Sequence, residues 1–321
     1  MLLSPKDELT HHISKSSNRD NSPLEEQETV SRKELYKDEL RDILITDEFK
    51  NILHLLENTN ESFFITGKAG TGKSTLLKLF LSNSNKEISV VAFTGIAALN
   101  IKGDTIHRFF KFPPHIITEE DWFQLFAMDG ENYRDLDTLI IDEVSMVRAD
   151  LLDSIDKFLR YHRNSSNIPF GGVQMLFFGD LLQLPPIVPR DTESDYFCST
   201  YRSPWFFDSK VFKKFNIRLI ELTNVFRQSE KEFIDLLDSF RVGSFTDKQL
   251  QRINKQYKSD NRSVEDYPIT LTSTNQVANA KNKHELSLLP DPVHEFIGTA
   301  EGDFPKDFYS NELKLELKIN A

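Results

Sequence analysis

One cysteine, two tryptophans and four methionines stand in a sequence of 321 residues, and no stretch reaches the roughly eighteen consecutive apolar residues that a membrane-crossing helix needs. A single cysteine, Cys198, excludes an internal disulfide framework and suits a reducing compartment. Its expected role is that of a small, partly buried apolar side chain rather than a reactive thiol. The N-terminus carries no apolar signal core, so the expected location is cytoplasmic, or nuclear in a eukaryotic cell. Adjacent His11 and His12 have no Cys or further His at ligand spacing, which argues against a zinc site there. Basic charge is also scarce. Lys and Arg number 39 against 50 Asp and Glu, a formal net charge of −11. That weighs against adhesion of the whole surface to nucleic acid but leaves room for a basic channel on an acidic body.

What is plentiful is phenylalanine, with 26 residues against 8 tyrosines, in a chain that is 39% hydrophobic. This supports a sizeable core and about two domains of ordinary length. Residues 1–40 are polar and charged and read as a tail, with a helix beginning near Ser31. From residue 41 the pattern changes. Ile43, Leu44, Phe49, Ile52, Leu53, Leu55 and Leu56 mark an amphipathic helix. Short apolar runs then alternate with helical stretches: Phe63–Ile65, Ile88–Phe93, Thr138–Ile141, Met175–Phe178, Leu219–Leu222 and Ile269–Thr272. That alternation predicts an α/β fold with a mostly parallel sheet covered on both faces. Residues 111–137 interrupt it with Pro113-Pro114 and the aromatics Trp122, Phe123, Phe126 and Tyr133. Two readings stay open there: an aromatic insertion, or a helix whose rings cover the core.

The densest chemical signal is residues 63–80, an apolar strand, a glycine-rich turn and a helix-forming stretch. That order is the context of a phosphate-binding loop. Gly67, Lys68, Ala69, Gly70, Thr71, Gly72, Lys73, Ser74 and Thr75 form the candidate nucleotide cradle. Its glycines let backbone N–H groups converge on phosphate oxygens at a helix N-terminus. Lys73 can reach the β- and γ-phosphates of ATP, and the Ser74 hydroxyl can bind Mg²⁺. A second signal is the apolar run 139–141 ending in Asp142-Glu143. Asp142 is the expected second Mg²⁺ ligand, and Glu143 the base that polarises the attacking water. A third is 175–187, where an apolar strand runs into Gly179-Asp180, Gln183 and Pro185-Pro186. Gln183 is placed to sense the γ-phosphate. A fourth is 221–228, in which Arg227 can stabilise charge on the transferring phosphoryl group.

Taken in order, the loop at 67–75, the block VVAFTGIAALNIKGDTIHRFF (90–110), IIDEVSM, FFGDLLQLPPI and LTNVFRQ resemble the motifs of the PIF-type (petite integration frequency) helicases of superfamily 1B, relatives of the RecD-type enzymes. The resemblance implies two RecA-like domains with ATP and Mg²⁺ between them. The first would span 41–215, with a wedge-like insertion at 111–135, and 216–321 would begin the second. It implies 5′-to-3′ translocation on single-stranded DNA and contact with duplex junctions. No membrane partner is expected from the apolar runs, and a monomer is the expected state, although the sequence does not fix it. Thr94, Gly95 and His107 would lie along the DNA backbone, Gln183 would couple ATP to DNA, and Arg227 would reach the γ-phosphate. Thr94 and Gly95 can offer a hydroxyl and N–H groups to phosphates without reading bases. Phe109 and Phe110 could stack on bases, an interaction worth about 1–3 kcal/mol each, or pack in the core.

Two departures accompany the resemblance. The stretch Thr46–Lys50 lacks the glutamine that reads adenine in such helicases, and residues 229–321 lack the late DNA-contacting and second-arginine motifs. The tail 313–321 reads as a strand cut off before its partners, which implies a fragment or a shortened gene. Two alternatives therefore stay beside the helicase reading. One is a nucleotide- and DNA-binding module without unwinding activity. The other is a P-loop ATPase acting on something other than DNA.

Overall fold

A computed structural model describes residues 36–41, 43, 45–188, 194–224, 231–255, 269–299 and 313–319. His11, His12 and the helix expected near Ser31 lie outside the described residues, as does Arg227. The chain divides into two compact units between Gln249 and Leu250.

The first unit is built on six parallel strands: β1 (Ser62–Gly67), β2 (Ile88–Ala92), β3 (Asp104–Thr105), β4 (Thr138–Asp142), β5 (Gln174–Phe178) and β6 (Ile217–Leu222). Their order across the sheet is β3-β2-β4-β5-β1-β6. Side chains alternate between faces along each strand, as the pleat requires. Phe63, Ile65, Ile140, Leu176 and Phe178 enter one core layer with Phe49 and Leu56 of helix α1 (Asp47–Asn58) and Leu76 and Phe80 of helix α2 (Lys73–Asn83). Phe64, Leu139, Ile141, Met175 and Phe177 enter the other. Both faces are covered, so the middles of the central strands are apolar, and β4 and β5 are buried at every position, with Thr138, Asp142 and Gln174 at their ends.

The second layer is where the phenylalanines gather. Phe110, Phe112, Tyr133 and Phe158 pack with centroids 4.8–5.9 Å apart. Residues 111–137 form two short helices, Glu119–Phe126 and Glu131–Arg134. The first opens on a capping box between Thr118 and Asp121. Trp122, Leu125 and Tyr133 are buried, and the Lys157 ammonium sits 4.0 Å from the centroid of the Trp122 ring. The core reading of these aromatics therefore holds for Trp122 and Tyr133, while Phe123 stays 80% exposed.

Three expectations change. The boundary expected after residue 215 falls inside the first unit, because β6 pairs with β1 from Ser62↔Ile217 to Gly67↔Leu222. Residues 269–272 are not a strand: no described strand pairs with them, and Ile269 and Leu271 are 94% and 92% exposed. Alternating apolar residues make a strand only when a neighbour completes the ladder. Cys198 is exposed rather than partly buried. The second unit contains a helix, Asn275–Leu288, and an antiparallel pair, β7 (His294–Ile297) with β8 (Lys314–Leu317).

Candidate nucleotide site

The strand order puts the carboxyl ends of β4, β5 and β1 side by side, the crevice where open α/β sheets bind ligands. Each end delivers one candidate motif. From β1 the chain turns through residues 67–72 into α2. Gly72 is the N-cap of α2 with φ +86°, and Gly70 has φ +81°, backbone angles that an L side chain resists. At Gly67 a Cβ would stand 2.7 Å from the carbonyl oxygen of Leu222 in β6. The loop therefore curls at its glycines, and at Gly67 it leaves no space for a side chain.

Lys73 opens α2, half-buried. Its ammonium donates to the carbonyls of Gly67 (2.7 Å) and Lys68 (3.2 Å). Burial lowers its pKa, opposed by the carboxylates of Asp180, Glu143 and Asp142. Ser74 is exposed. Thr71 is buried, and its hydroxyl donates to the Lys68 carbonyl at 2.9 Å, so this side chain closes the loop rather than facing a ligand. Lys68 is also committed: its ammonium pairs with Asp238 at 2.7 Å.

From β4, Asp142 is 8% exposed and its pKa is pushed up to about 6, first by burial and then by Glu143 beside it. Glu143 sits in the left-handed region at φ +50°, ψ +44°. That conformation is costly for a residue with a Cβ and is concentrated at functional sites. It turns the chain sharply and lets two consecutive carboxylates serve one pocket. Close by, the Ser145 hydroxyl is buried without a hydrogen-bond partner. Among the described residues no group of three or more His, Cys, Asp or Glu side chains could hold a metal ion alone. The donors that are present, the Asp142 carboxylate and the Ser74 hydroxyl, are hard oxygens in small number. That set suits Mg²⁺, which keeps water and phosphate oxygens among its ligands.

From β5, Asp180 is 1% exposed. It accepts from the Leu182 N–H (3.1 Å), from the Gln183 amide (3.1 Å) and twice from Arg241 (2.9 and 3.1 Å). Gly179-Asp180 belongs to a motif legible in the sequence, but Arg241 does not. No local signal could have singled it out, because 61 residues separate the two.

The candidate DNA-contacting residues collect at the ends of β2 and β3. Thr94 caps the short helix Gly95–Asn100, its hydroxyl accepting from the Ala97 N–H at 3.2 Å. Gly95 is exposed, and Ile96 and Leu99 beside it are 76% and 78% exposed. His107 is half-buried with its ring edge-on to Phe93 at 6.2 Å. Burial, and then the charge of Arg148, hold His107 below its usual pKa, which favours a neutral ring. Phe110 does not belong with this group. It is fully buried between Phe112 and Tyr133, with Phe158 at its edge, so it cannot stack on a base. Phe109 is half-buried and packs edge-on against both Phe110 and Tyr133.

Residues 44–251 match the PIF1-like helicase family. Among curated proteins the chain is 31% identical over 268 residues to the ATP-dependent DNA helicase RRM3 of Saccharomyces cerevisiae, covering 79% of this chain and 35% of the relative. It is 35% identical over 242 residues to the ATP-dependent DNA helicase PIF1 of Homo sapiens, covering 74% and 36%. It thus spans about a third of the length of these relatives. Among solved structures it is similar to Bacteroides Pif1 bound to ssDNA, with a TM-score of 0.73 and 34% identity over 86% of this chain and 64% of that one. Pif1 from Bacteroides in complex with ADP-AlF3 and ssDNA aligns with the same values. The six-stranded α/β fold is that of these RecA-like helicase structures.

Proposed function

The chain belongs to the PIF1-like helicase family, and from that premise we propose that it carries the ATP-hydrolysing site of a DNA helicase that moves 5′ to 3′ along single-stranded DNA. One observation carries this reading most directly: the Lys73 ammonium is held at the neck of the loop with the carboxylates of Asp142, Glu143 and Asp180 acting on it. A relative solved with ADP-AlF3 and ssDNA supports the same assignment.

In this reading each residue has one task. Backbone N–H groups of residues 67–72 receive phosphate oxygens, and Lys73 exchanges its carbonyl partners for the β- and γ-phosphates. Ser74 and Asp142 would hold Mg²⁺, which when bound supplies positive charge to the phosphate oxygens. Glu143 orients a water and takes its proton as the oxygen attacks the γ-phosphorus, while the bond from that phosphorus to the bridging oxygen breaks and ADP leaves. Gln183 senses the γ-phosphate from the end of β5. Arg227 is assigned to the same phosphate on sequence grounds. Thr94, Gly95, His107 and Phe109 are assigned to single-stranded DNA, where hydroxyl and N–H donors grip phosphates without reading bases. The DNA grip advances because the open and closed cleft bind nucleotide with different affinity.

The test is ATP hydrolysis by the protein with and without an unstructured oligonucleotide. Stimulation is expected, with Glu143→Gln retaining nucleotide affinity and losing turnover. Hydrolysis indifferent to single-stranded DNA, or undiminished in Glu143→Gln, would overturn the proposal.

A further inference from the structure

We propose that Arg241 is a positioning residue for ATP turnover, whose bidentate ion pair with Asp180 holds Gln183 and moors helix Lys231–Arg241 to the nucleotide site. The proposal rests on the reading that this site hydrolyses ATP.

Asp180 is the most deeply buried carboxylate at the site, at 1% exposure. A charge so buried is tolerated only when hydrogen bonds satisfy it. Here all of its partners belong to nucleotide-facing loops or to the helix. The Gln183 amide shares oxygen Oδ2 with Arg241 Nε, and the Leu182 N–H shares Oδ1 with Arg241 Nη2. Two of the four bonds thus orient the loop that bears Gln183, and the other two come from Arg241. The helix has a second tie one turn earlier, where Asp238 accepts from Lys68 of the phosphate loop at 2.7 Å. Arg241 also lies 3.6 Å from Asp238, so the two ties touch. They flank a cleft of about 280 Å³ lined by Lys68, Ala69, Asp180, Gln183, Asp238 and Arg241, among others.

A buried ion pair is poor evidence for stability, since apolar residues of the same volume often serve as well. Its location is the informative part. Gln183 and Arg241 share one oxygen of Asp180, and Leu182 and Arg241 share the other, so moving the guanidinium changes the seat of the Gln183 loop. The planar guanidinium gives two parallel bonds that an ammonium cannot reproduce. The helix itself begins at Lys231, four residues after Arg227. Mooring its far end places the whole element next to the phosphate loop.

The experiment uses Arg241→Gln, Arg241→Lys and the double variant Asp180→Asn/Arg241→Gln in the protein. A fluorescent ATP analogue measures nucleotide affinity, and steady-state ATPase with and without oligonucleotide measures kcat and KM. Arg241→Gln is expected to keep affinity and KM within about twofold while DNA-stimulated kcat falls about 10- to 100-fold, the scale of a misplaced group. Arg241→Lys recovers part of that loss. The double variant removes both charges, so it folds without a stranded carboxylate and remains slow. Wild-type turnover in Arg241→Gln or in the double variant would reduce the pair to a structural role and overturn the inference. A loss of nucleotide affinity parallel to kcat would also overturn it, by making Arg241 a binding group. If Arg241→Gln fails to fold, the double variant decides. A wild-type protein without nucleotide binding or ATPase would sink the site assignment itself and is recognised before any variant is read.

Discussion

Two lysines at opposite edges of one sheet show what separates a site from a brace. Both have pKa values lowered by burial. At the amino edge, Lys86 donates to the carbonyls of Leu56 and Thr59 and to the Gln174 side chain, all at 2.7–2.8 Å. Gln174 in turn donates to the carbonyls of Leu56, Thr59 and Glu61 and accepts from Thr138. An ammonium has three donors, and here each has found an acceptor. At the carboxyl edge, Lys73 holds two carbonyls and is acted on by three carboxylates, of which Asp142 is itself raised. The brace is complete without a ligand. The site keeps charges and polar groups in tension that a bound phosphate and cation would relieve.

The largest effect that can test this contrast is Lys73→Ala. ATPase should fall roughly 100- to 1,000-fold, the scale for removing one preorganised charge donor, with no drop in the thermal midpoint. Nucleotide titration and a melting curve together decide it, and a midpoint that collapsed would make Lys73 another brace.

Asp142→Asn should stabilise the nucleotide- and metal-free protein. The folded carboxyl titrates at about 6 against 3.8 in the unfolded chain, a difference of about 3 kcal/mol. The native state holds the extra proton, so the penalty of the aspartate is absent below pH ~4, grows as pH rises and is complete above pH ~6. The gain from asparagine should follow that curve in denaturant melts at several pH values. A gain of equal size at pH 4 and pH 8 would contradict it.

Lys86→Met should cost about 1–3 kcal/mol, because Gln174 and two carbonyls each lose one of their two donors. Nucleotide affinity of the folded fraction should stay unchanged, and a Kd that rose with the instability would blur the distinction between edges. Smallest is Thr94→Ala, which removes a helix cap worth about 1 kcal/mol. If Thr94 also grips DNA phosphates, oligonucleotide affinity should fall while ATP affinity holds. An unaltered DNA affinity would leave the residue as a cap alone.

Much of this was legible before the structure. Strands β1, β2, β4, β5 and β6 lie where apolar runs alternate with helical stretches, and the loop at 67–72 declares itself by its glycines and the lysine that follows. Phe109-Phe110 was not resolved, because adjacent rings on a five-residue helix give no period from which to tell the inner face from the outer. Burial of Phe110 depends on Phe158, 48 residues on, and on Tyr133. Residues 269–272 failed for the opposite reason: the alternation was present, but no strand among the described residues pairs with it.

The order of residues by itself determined the phosphate cradle and the strands that carry it, since both arise from short-range rules of backbone freedom and hydrophobic period. Only the folded molecule decided that Asp180 would meet Arg241, that Lys68 would meet Asp238, and that Lys86 and Lys73 would come to lie at opposite edges of one sheet. Those meetings follow from strand order and helix docking, and a charge carries no mark in sequence of the distant partner whose field will hold it.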